Sequence, residues 1–180
     1  MTDRRLGDPM AAARRLPAGS WVILRFPMGE PPPPYAMALR TLCRQRRLRF
    51  LVSTDPKLAA KLRADGLHLP EALARHGCLS KALAWRKSGQ GRLLTVAAHA
   101  WPALARAAVL RADAAILSPL FTTASHPDAR PLGLLLFRKW AASARLPIIV
   151  LGGVTTDKAR LLRAKNLRGF ASVFAARHNS

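Results

Sequence analysis

The segment of this chain best suited to chemistry is a pair of adjacent glycines at the end of an apolar run. Gly152 and Gly153 follow directly on the run from Pro147 to Leu151. Glycines lack the Cβ atom that keeps other residues away from a bound group, and backbone amides at such a turn can hold an anion. The pattern fits a phosphate site, and it fits equally a plain tight turn, which is common after a strand.

A second candidate is the polar loop from Thr122 to Pro131. Within it, His126 lies beside the hydroxyl groups of Thr123 and Ser125. Imidazole exchanges protons near neutral pH, and loops carry function more often than strands do. We therefore expect His126 to be functional, whereas His99, at the end of an apolar run, suits either packing or acid-base chemistry.

The candidates must be positioned by strands and helices, and the chain alternates between the two. Short apolar runs typical of buried strands occur seven times, with segments of helical spacing between them. The alternation predicts parallel β/α units, whose loops after the strands gather on one face in a barrel. The predicted strands are Trp21–Arg25, Arg49–Ser53, Gly66–Leu69, Arg92–Ala98, Ala114–Pro119, Ile148–Leu151 and Gly169–Phe174, and the predicted helices are Pro56–Arg63, Trp101–Leu110, Leu134–Ala144 and Asp157–Ala164.

The length and the net charge of the chain limit the classes of protein to which it can belong. Half of the 180 residues are hydrophobic, which suffices for the core of a single domain over residues 1–180. Against 30 Lys and Arg stand nine Asp and Glu, a net charge of +21 that attracts anionic partners. The arginines are scattered through every segment without a nucleic-acid motif. We therefore expect small phosphorylated substrates, with a basic nucleic-acid-binding module as the weaker alternative.

Cysteine usage and hydropathy indicate the compartment. Cys43 and Cys78 form neither a CxxC pair nor a disulfide framework, which favours a reducing environment. The longest apolar runs are far too short to span a bilayer. The sequence therefore predicts a cytoplasmic protein without a membrane partner.

Three segments carry a family resemblance. Residues 63–71 read Arg-Ala-Asp-Gly-Leu-His-Leu-Pro-Glu, and residues 111–133 read Arg-Ala-Asp-Ala-Ala-Ile-Leu-Ser-Pro-Leu-Phe-Thr-Thr-Ala-Ser-His-Pro-Asp-Ala-Arg-Pro-Leu-Gly. Residues 147–155 read Pro-Ile-Ile-Val-Leu-Gly-Gly-Val-Thr. In this order and spacing they resemble the thiamine phosphate synthases and the related thiazole tautomerases. The resemblance implies an α/β fold of the TIM-type (β/α) barrel class. It also implies a transferase that joins hydroxymethylpyrimidine diphosphate to thiazole phosphate and releases diphosphate.

The resemblance also implies roles for residues in the two candidate segments. Gly152 and Gly153 would hold the thiazole phosphate, while the loop with Thr123, Ser125 and His126 would close over the diphosphate. His126 stands where the family pattern has a lysine. Its imidazole is a weaker and pH-dependent cation.

Further site residues follow from the same resemblance. Arg25 stands where the family has an arginine that faces the diphosphate, and His99 matches a family histidine, so both join His126 as expected catalytic residues. Synthases hold Mg²⁺ against the diphosphate with carboxylate and amide oxygens after two strands. At those places this chain offers Asp55 and Glu71, which we expect to be the metal ligands.

Departures from the family pattern keep a second function open. The usual magnesium ligands are replaced, which favours a thiazole tautomerase, or a thiazole-phosphate-binding relative with a degenerate diphosphate site. The family's first strand ends in Thr-Asp, and this chain has Thr2 and Asp3 there. A barrel without its first strand has unpaired edges, so we expect either further chain upstream or a homo-oligomer to seal it.

Overall fold

The structure is a computed structural model that describes residues 1–2, 8–75, 79–123 and 129–173. These residues divide into two compact units. Residues 1–68, 79–93 and 173 form the first unit, and residues 69–75 and 94–172 form the second. The single domain predicted from the sequence stays a prediction. In the described part of the chain, no helix is long and apolar enough to cross a membrane.

Strands and helices alternate along the described chain, as the sequence predicts. The strands are β1 (Trp21–Leu24), β2 (Arg49–Ser53), β3 (Gly66–Leu69), β4 (Leu93–Ala98), β5 (Ala114–Leu117), β6 (Ile148–Leu151) and β7 (Leu167–Ala171). The helices are α1 (Pro9–Arg14), α2 (Ala36–Gln45), α3 (Pro56–Lys61), α4 (Glu71–Arg75), α5 (Leu79–Lys87), α6 (Trp101–Val109), α7 (Gly133–Ser143) and α8 (Thr156–Arg160).

Every strand pairing within the two units is parallel and joins consecutive strands. In the first unit, β1 pairs with β2 and β2 with β3. In the second unit, β4 pairs with β5, β5 with β6 and β6 with β7. Parallel neighbours need long crossover connections, which the intervening helices supply. The carboxyl ends of neighbouring strands therefore meet at one edge, where the predicted functional loops begin.

Each unit is held by fully buried apolar side chains from strands and covering helices. Parallel strands are covered on both faces, which explains why they read as continuous apolar runs. The largest fully buried side chains are Leu24, Leu39, Phe50, Leu51 and Leu67 in the first unit, and Leu69, Leu94, Leu104, Leu117, Leu120, Phe137 and Ile148 in the second.

An aspartate at the start of a strand clasps the preceding strand in each unit. The Asp65 amide donates to the Phe50 carbonyl at 2.8 Å, and the Phe50 amide donates back to Asp65 Oδ2 at 2.8 Å. In the second unit, the Asp113 amide donates to the Leu94 carbonyl at 2.8 Å, and the Leu94 amide donates to Asp113 Oδ2 at 2.7 Å. In each unit, these two hydrogen bonds satisfy backbone groups at the start of the pairing between the two strands. They therefore help to fix the register of the strands.

The predicted bounds of two elements in the second unit, β7 and α8, are wrong. β7 begins two residues before the predicted Gly169, because the Asn166 carbonyl accepts the Ile148 amide at 2.8 Å and starts the pairing early. α8 begins at Thr156 and ends at Arg160, short of the predicted Ala164. The Thr155 hydroxyl caps its start by accepting from the Lys158 amide. β7 ends at Ala171, three residues before the predicted Phe174, which itself lies outside the described residues.

Four helices were not predicted, although two carried readable signals. α1 has the cap Asp8 followed by proline, and the Asp8 carboxylate accepts from the Met10 and Ala11 amides. A capping aspartate before proline is a standard helix start. α2 has an amphipathic pattern with buried Leu39 and Leu42. α4 and α5 are short, with five and nine residues, and offer little periodicity.

We predict that the clasp at Asp113 contributes measurably to stability. Asp113→Ala leaves the Leu94 amide without its carboxylate acceptor, and we expect the free energy of unfolding to fall by about 1–3 kcal/mol. Asp113→Asn keeps an acceptor oxygen and should recover most of the loss. Denaturant unfolding of the two variants measures this difference. Equal losses in both would contradict the clasp.

Candidate functional site

The glycine turn after β6 packs directly against the segment that follows β5. Gly152 and Gly153 have φ values of +99° and +63°, in the region that favours glycine. A Cβ atom on Gly153 would lie 2.4 Å from the Thr122 carbonyl oxygen, and one on Gly152 would lie 3.0 Å from Pro119 Cα and 3.2 Å from Thr123 Cγ2. The turn can therefore hold only glycines, and it brings together two of the three segments of the family resemblance.

Backbone hydrogen bonds fix this contact. The Leu120 amide donates to the Leu151 carbonyl at 2.9 Å, and the Phe121 amide donates to the Gly152 carbonyl at 3.0 Å. The pairing of β5 with β6 thus continues beyond the strand ends. As a result, the loop residue Thr123, predicted to bind phosphate, lies beside the glycine pair.

Lys158 adds a cation that the sequence analysis did not single out. Its Nζ atom lies 4.8 Å from the centroid of the Phe121 ring. A Cβ on Gly153 would be 2.8 Å from Phe121 Cβ, so the same aromatic side chain contacts the turn and the lysine. Cation–π contact restrains a side chain that is otherwise flexible. Its position in the first turn of the helix after the glycines could have indicated from the sequence that Lys158 lies near this turn.

His99, a predicted catalytic residue, is oriented by Ser118. Its Nδ1 atom lies 2.8 Å from the Ser118 carbonyl oxygen and 3.3 Å from Ser118 Oγ. Because a carbonyl oxygen only accepts, Nδ1 carries the hydrogen and donates it, which leaves Nε2 of the neutral ring as an acceptor. The arrangement gives His99 the tautomer of a general base.

Glu71, a predicted metal ligand, is engaged at both of its carboxylate oxygens. Oε1 accepts from the Arg75 guanidinium, and Oε2 accepts from the His99 backbone amide at 2.9 Å. Burial by itself would raise the pKa of Glu71, but the hydrogen bonds from Arg75 and from the His99 amide outweigh it and hold the pKa below 4.5. The charged Glu71 carboxylate thus connects α4 to the residue that follows β4.

The remaining predicted site residues lie in the first unit or outside the described residues. Arg25 directly follows β1, and its backbone amide donates to the Thr2 hydroxyl at 2.8 Å. Asp55 caps α3, where its Oδ1 accepts from the Lys57 and Leu58 amides at 2.8 and 3.1 Å. Ser125 and His126 lie outside the described residues.

The predicted magnesium ligands do not fit a metal site. Asp55 is used as a helix cap, and Glu71 is neutralised by Arg75 and a backbone amide. Magnesium needs several oxygen ligands in near-octahedral geometry. Among the described residues, no three His, Cys, Asp or Glu side chains are grouped closely enough to hold a metal ion.

The second unit also contains a cavity of 420 Å³ beside this turn. It includes His99 and the peptide segment after β5. The sequence analysis did not predict it, because its walls come from segments that are distant along the chain. The lining residues are His99, Leu117, Ser118, Pro119, Arg130, Pro131, Leu132, Leu136 and Trp140.

Comparison with solved structures identifies the fold class. The thiamine phosphate pyrophosphorylase from Pyrococcus furiosus matches with a TM-score of 0.72 and 24% identity, over 96% of this chain and 82% of that one. This match confirms the predicted α/β fold of the TIM-type (β/α) barrel class.

Comparison with families then identifies the relatives. The family model for thiamine monophosphate synthase matches residues 10–176, and the chain belongs to this family. The thiamine-phosphate synthase of Alcanivorax borkumensis is 35% identical over 125 residues, covering 69% of this chain and 55% of that protein. The thiamine-phosphate synthase of Levilactobacillus brevis is 31% identical over 142 residues, covering 78% and 64%. The chain thus spans less than two thirds of these two relatives.

We predict an acid-range dependence of stability that comes from Glu71. Because its pKa is lowered in the folded state, it stabilises the fold above its ordinary value of 4.5, and this contribution is lost as the pH falls through the folded pKa. Glu71→Gln should flatten the profile of unfolding free energy below pH 4.5. Denaturant titrations between neutral and acid pH measure it.

Asp157→Asn serves as the matched control, because this carboxylate is 90% exposed and forms only an exposed ion pair with Arg160. Its profile should follow that of the wild type. Identical acid profiles for Glu71→Gln and the wild type would contradict the assigned role of Glu71.

Proposed function

We propose that this chain is a thiamine phosphate synthase-like transferase that joins hydroxymethylpyrimidine diphosphate to thiazole phosphate. The observation that carries the proposal is the contact between the glycine turn and the segment after β5. A side chain at Gly152 or Gly153 would clash with that segment, so the turn is restricted to glycines, and the backbone amides of such a turn can donate to a phosphate. Membership of the thiamine monophosphate synthase family supports the same substrate class.

The phosphate of the thiazole would be held by groups around the turn. The backbone amides of Gly152 and Gly153 would donate to it. The Thr123 side chain packs beside Gly152 and the Lys158 ammonium lies over the Phe121 ring, and from these places the Thr123 hydroxyl and the ammonium would complete the site. Three kinds of donor around one dianion give both charge balance and orientation. This grip positions the thiazole nitrogen for reaction, which is the main contribution of an enzyme to such a transfer.

In the transfer, the bond between the pyrimidine methylene carbon and the diphosphate oxygen breaks, and diphosphate leaves with the bonding electrons. The thiazole nitrogen then forms the new bond to the methylene carbon. Arg25, Ser125 and His126 remain the residues that we propose for the diphosphate. Their cationic or hydroxyl groups would stabilise the developing negative charge.

A thiazole tautomerase is the second candidate function. The specific observation in its favour is His99, whose Nδ1 donates to the Ser118 carbonyl and leaves Nε2 as a proton acceptor. Proton transfer needs one such base and a phosphate grip, but neither a diphosphate site nor a metal. The engagement of Asp55 and Glu71 by protein donors is compatible with this reaction.

We also propose a reducing cytoplasmic setting and small phosphorylated partners. Cys43 is a buried free thiol, and burial raises its pKa to about 11, so the reactive thiolate is disfavoured. A homo-oligomer stays a prediction from the sequence, and nucleic-acid binding stays the weaker alternative.

The glycine turn is tested by binding of thiazole phosphate to Gly153→Ala. The new Cβ meets a backbone oxygen at 2.4 Å, so the turn must shift and its amides lose their alignment. We expect affinity to fall by at least about tenfold, since hydrogen bonds to a charged group are lost. Isothermal titration calorimetry on the purified chain measures the affinity.

Gly29→Ala is the matched control, because Gly29 has a similar φ of +87° but nothing within 4 Å of its Cβ position. It carries the same backbone strain without the contact, and its affinity should equal that of the wild type. Equal affinities for Gly153→Ala and Gly29→Ala would argue against the phosphate site at this turn.

Lys158 is tested by its effect on the salt dependence of the same binding. Lys158→Gln removes one cation near the phosphate, so affinity should fall about fivefold at low salt and decline less steeply as salt is added. Arg160→Gln removes a cation that is already paired with Asp157 at 3.6 Å on the same helix. Its affinity should stay within about twofold of the wild type. Parallel effects of both variants would show a general charge effect instead.

A further inference from the structure

The 420 Å³ cavity of the second unit has no part in the proposed phosphate grip. Its volume falls within the range of small-molecule sites, which is about 300–1,000 Å³. Pro119 belongs to both places, because its Cα packs against Gly152 while the residue also lines the cavity. The two sites are therefore neighbours that share Pro119, but Gly152, Gly153 and Lys158 do not line the cavity.

The walls of the cavity are mostly apolar and include one aromatic face. Side chains from the end of β5, from the segment before α7 and from α7 itself form these walls. Trp140 is held in place by Trp101, because the two ring centroids are 6.2 Å apart with the planes tilted by 55°. Tilted aromatic pairs of this kind are favourable and restrain both rings. Trp140 thus offers a supported surface for a planar group.

The polar groups of the cavity are a cation and an oriented acceptor. Arg130 lines it with an exposed guanidinium group, for which no described carboxylate is an ion-pair partner. His99 lines it as well, with Nδ1 committed to the Ser118 carbonyl. No described residue of the lining is acidic. The charge of the site therefore suits an anion and repels a cation.

We propose that this cavity is a binding site for a planar organic anion. The ring of the ligand lies in the apolar part against Trp140, and its anionic group binds the Arg130 guanidinium. His99 accepts a hydrogen bond at Nε2 from ligands that carry an N–H or O–H group. His99 is also the base of the second candidate function, but the inference stands on the cavity and on Arg130 and Trp140, and it uses none of the groups proposed to hold the thiazole phosphate.

The probe for this site is 1-naphthoate, which has a planar ring and a carboxylate but no phosphate. We expect saturable binding to the purified full chain by titration calorimetry. Arg130→Gln should weaken it about fivefold or more, because a charge-assisted hydrogen bond is lost. The neutral analogue 1-naphthalenemethanol should bind more weakly, and Arg130→Gln should leave its affinity unchanged.

The matched control is Arg138→Gln, which removes an exposed arginine from α7 outside the cavity lining. Its affinity for 1-naphthoate should stay within about twofold of the wild type. Equal weakening by both arginine variants would assign the binding to the high positive charge of the whole chain and overturn the proposal. Absence of saturable binding to the wild type would overturn it too.

The phosphate turn is separated from the cavity by one further titration. Gly153→Ala should bind 1-naphthoate as the wild type does, and inorganic phosphate should not displace the probe. Displacement by inorganic phosphate, or loss of the probe in Gly153→Ala, would place it at the glycine turn and overturn the proposal. Failure of thiazole phosphate to bind would instead affect only the proposed function.

Discussion

The parallel register of β4, β5 and β6 is the constraint on which the candidate site depends. The clasp between Asp113 and Leu94 sets the start of the β4–β5 pairing, and the register then places Ala98 opposite Leu117. One residue further along, His99 reaches the Ser118 carbonyl. The next pairing places Leu117 opposite Val150, so the following residues bring the glycine turn against Pro119. A shift by one residue would move each side chain to the opposite face of its strand.

The charged side chains near the candidate site differ in their partners. The carboxylates accept hydrogen bonds from protein donors, whereas two cations form no ion pair with a described residue. Glu71 is held by Arg75 and the His99 amide, and Asp55 is held by the first turn of α3. Lys158 and Arg130, in contrast, border the glycine turn and the cavity without an ion pair to a described residue. The second unit therefore favours anionic ligands by its local chemistry as well as by the net charge of the chain.

Much of the fold was readable in the sequence because buried parallel strands appear as short apolar runs. All seven predicted strands are present, and most boundaries differ by at most two residues. The exception is the end of β7, at Ala171 instead of Phe174. The early start of the same strand depends on Asn166, whose side chain donates to the carbonyls of Ala141 and Ala144 at the end of α7, a contact that no local pattern reveals. Short helices such as α4 were missed since five residues carry almost no periodicity.

The candidate site was readable only in part. Gly152, Gly153 and Thr123 were predicted from the family resemblance, and the structure brings them together. The predicted ligand role of Glu71 does not fit, since a sequence shows a carboxylate but not the donors that engage it. Asp113 appeared in the family resemblance without a role. Its function as a clasp depends on pairing with a residue 19 positions away.

The most direct test of the synthase assignment is diphosphate release by the purified chain supplied with both hydroxymethylpyrimidine diphosphate and thiazole phosphate. We expect release that requires both substrates and is matched by an equal amount of thiamine phosphate. Absence of release, or release that is independent of thiazole phosphate, would contradict the assignment as a synthase.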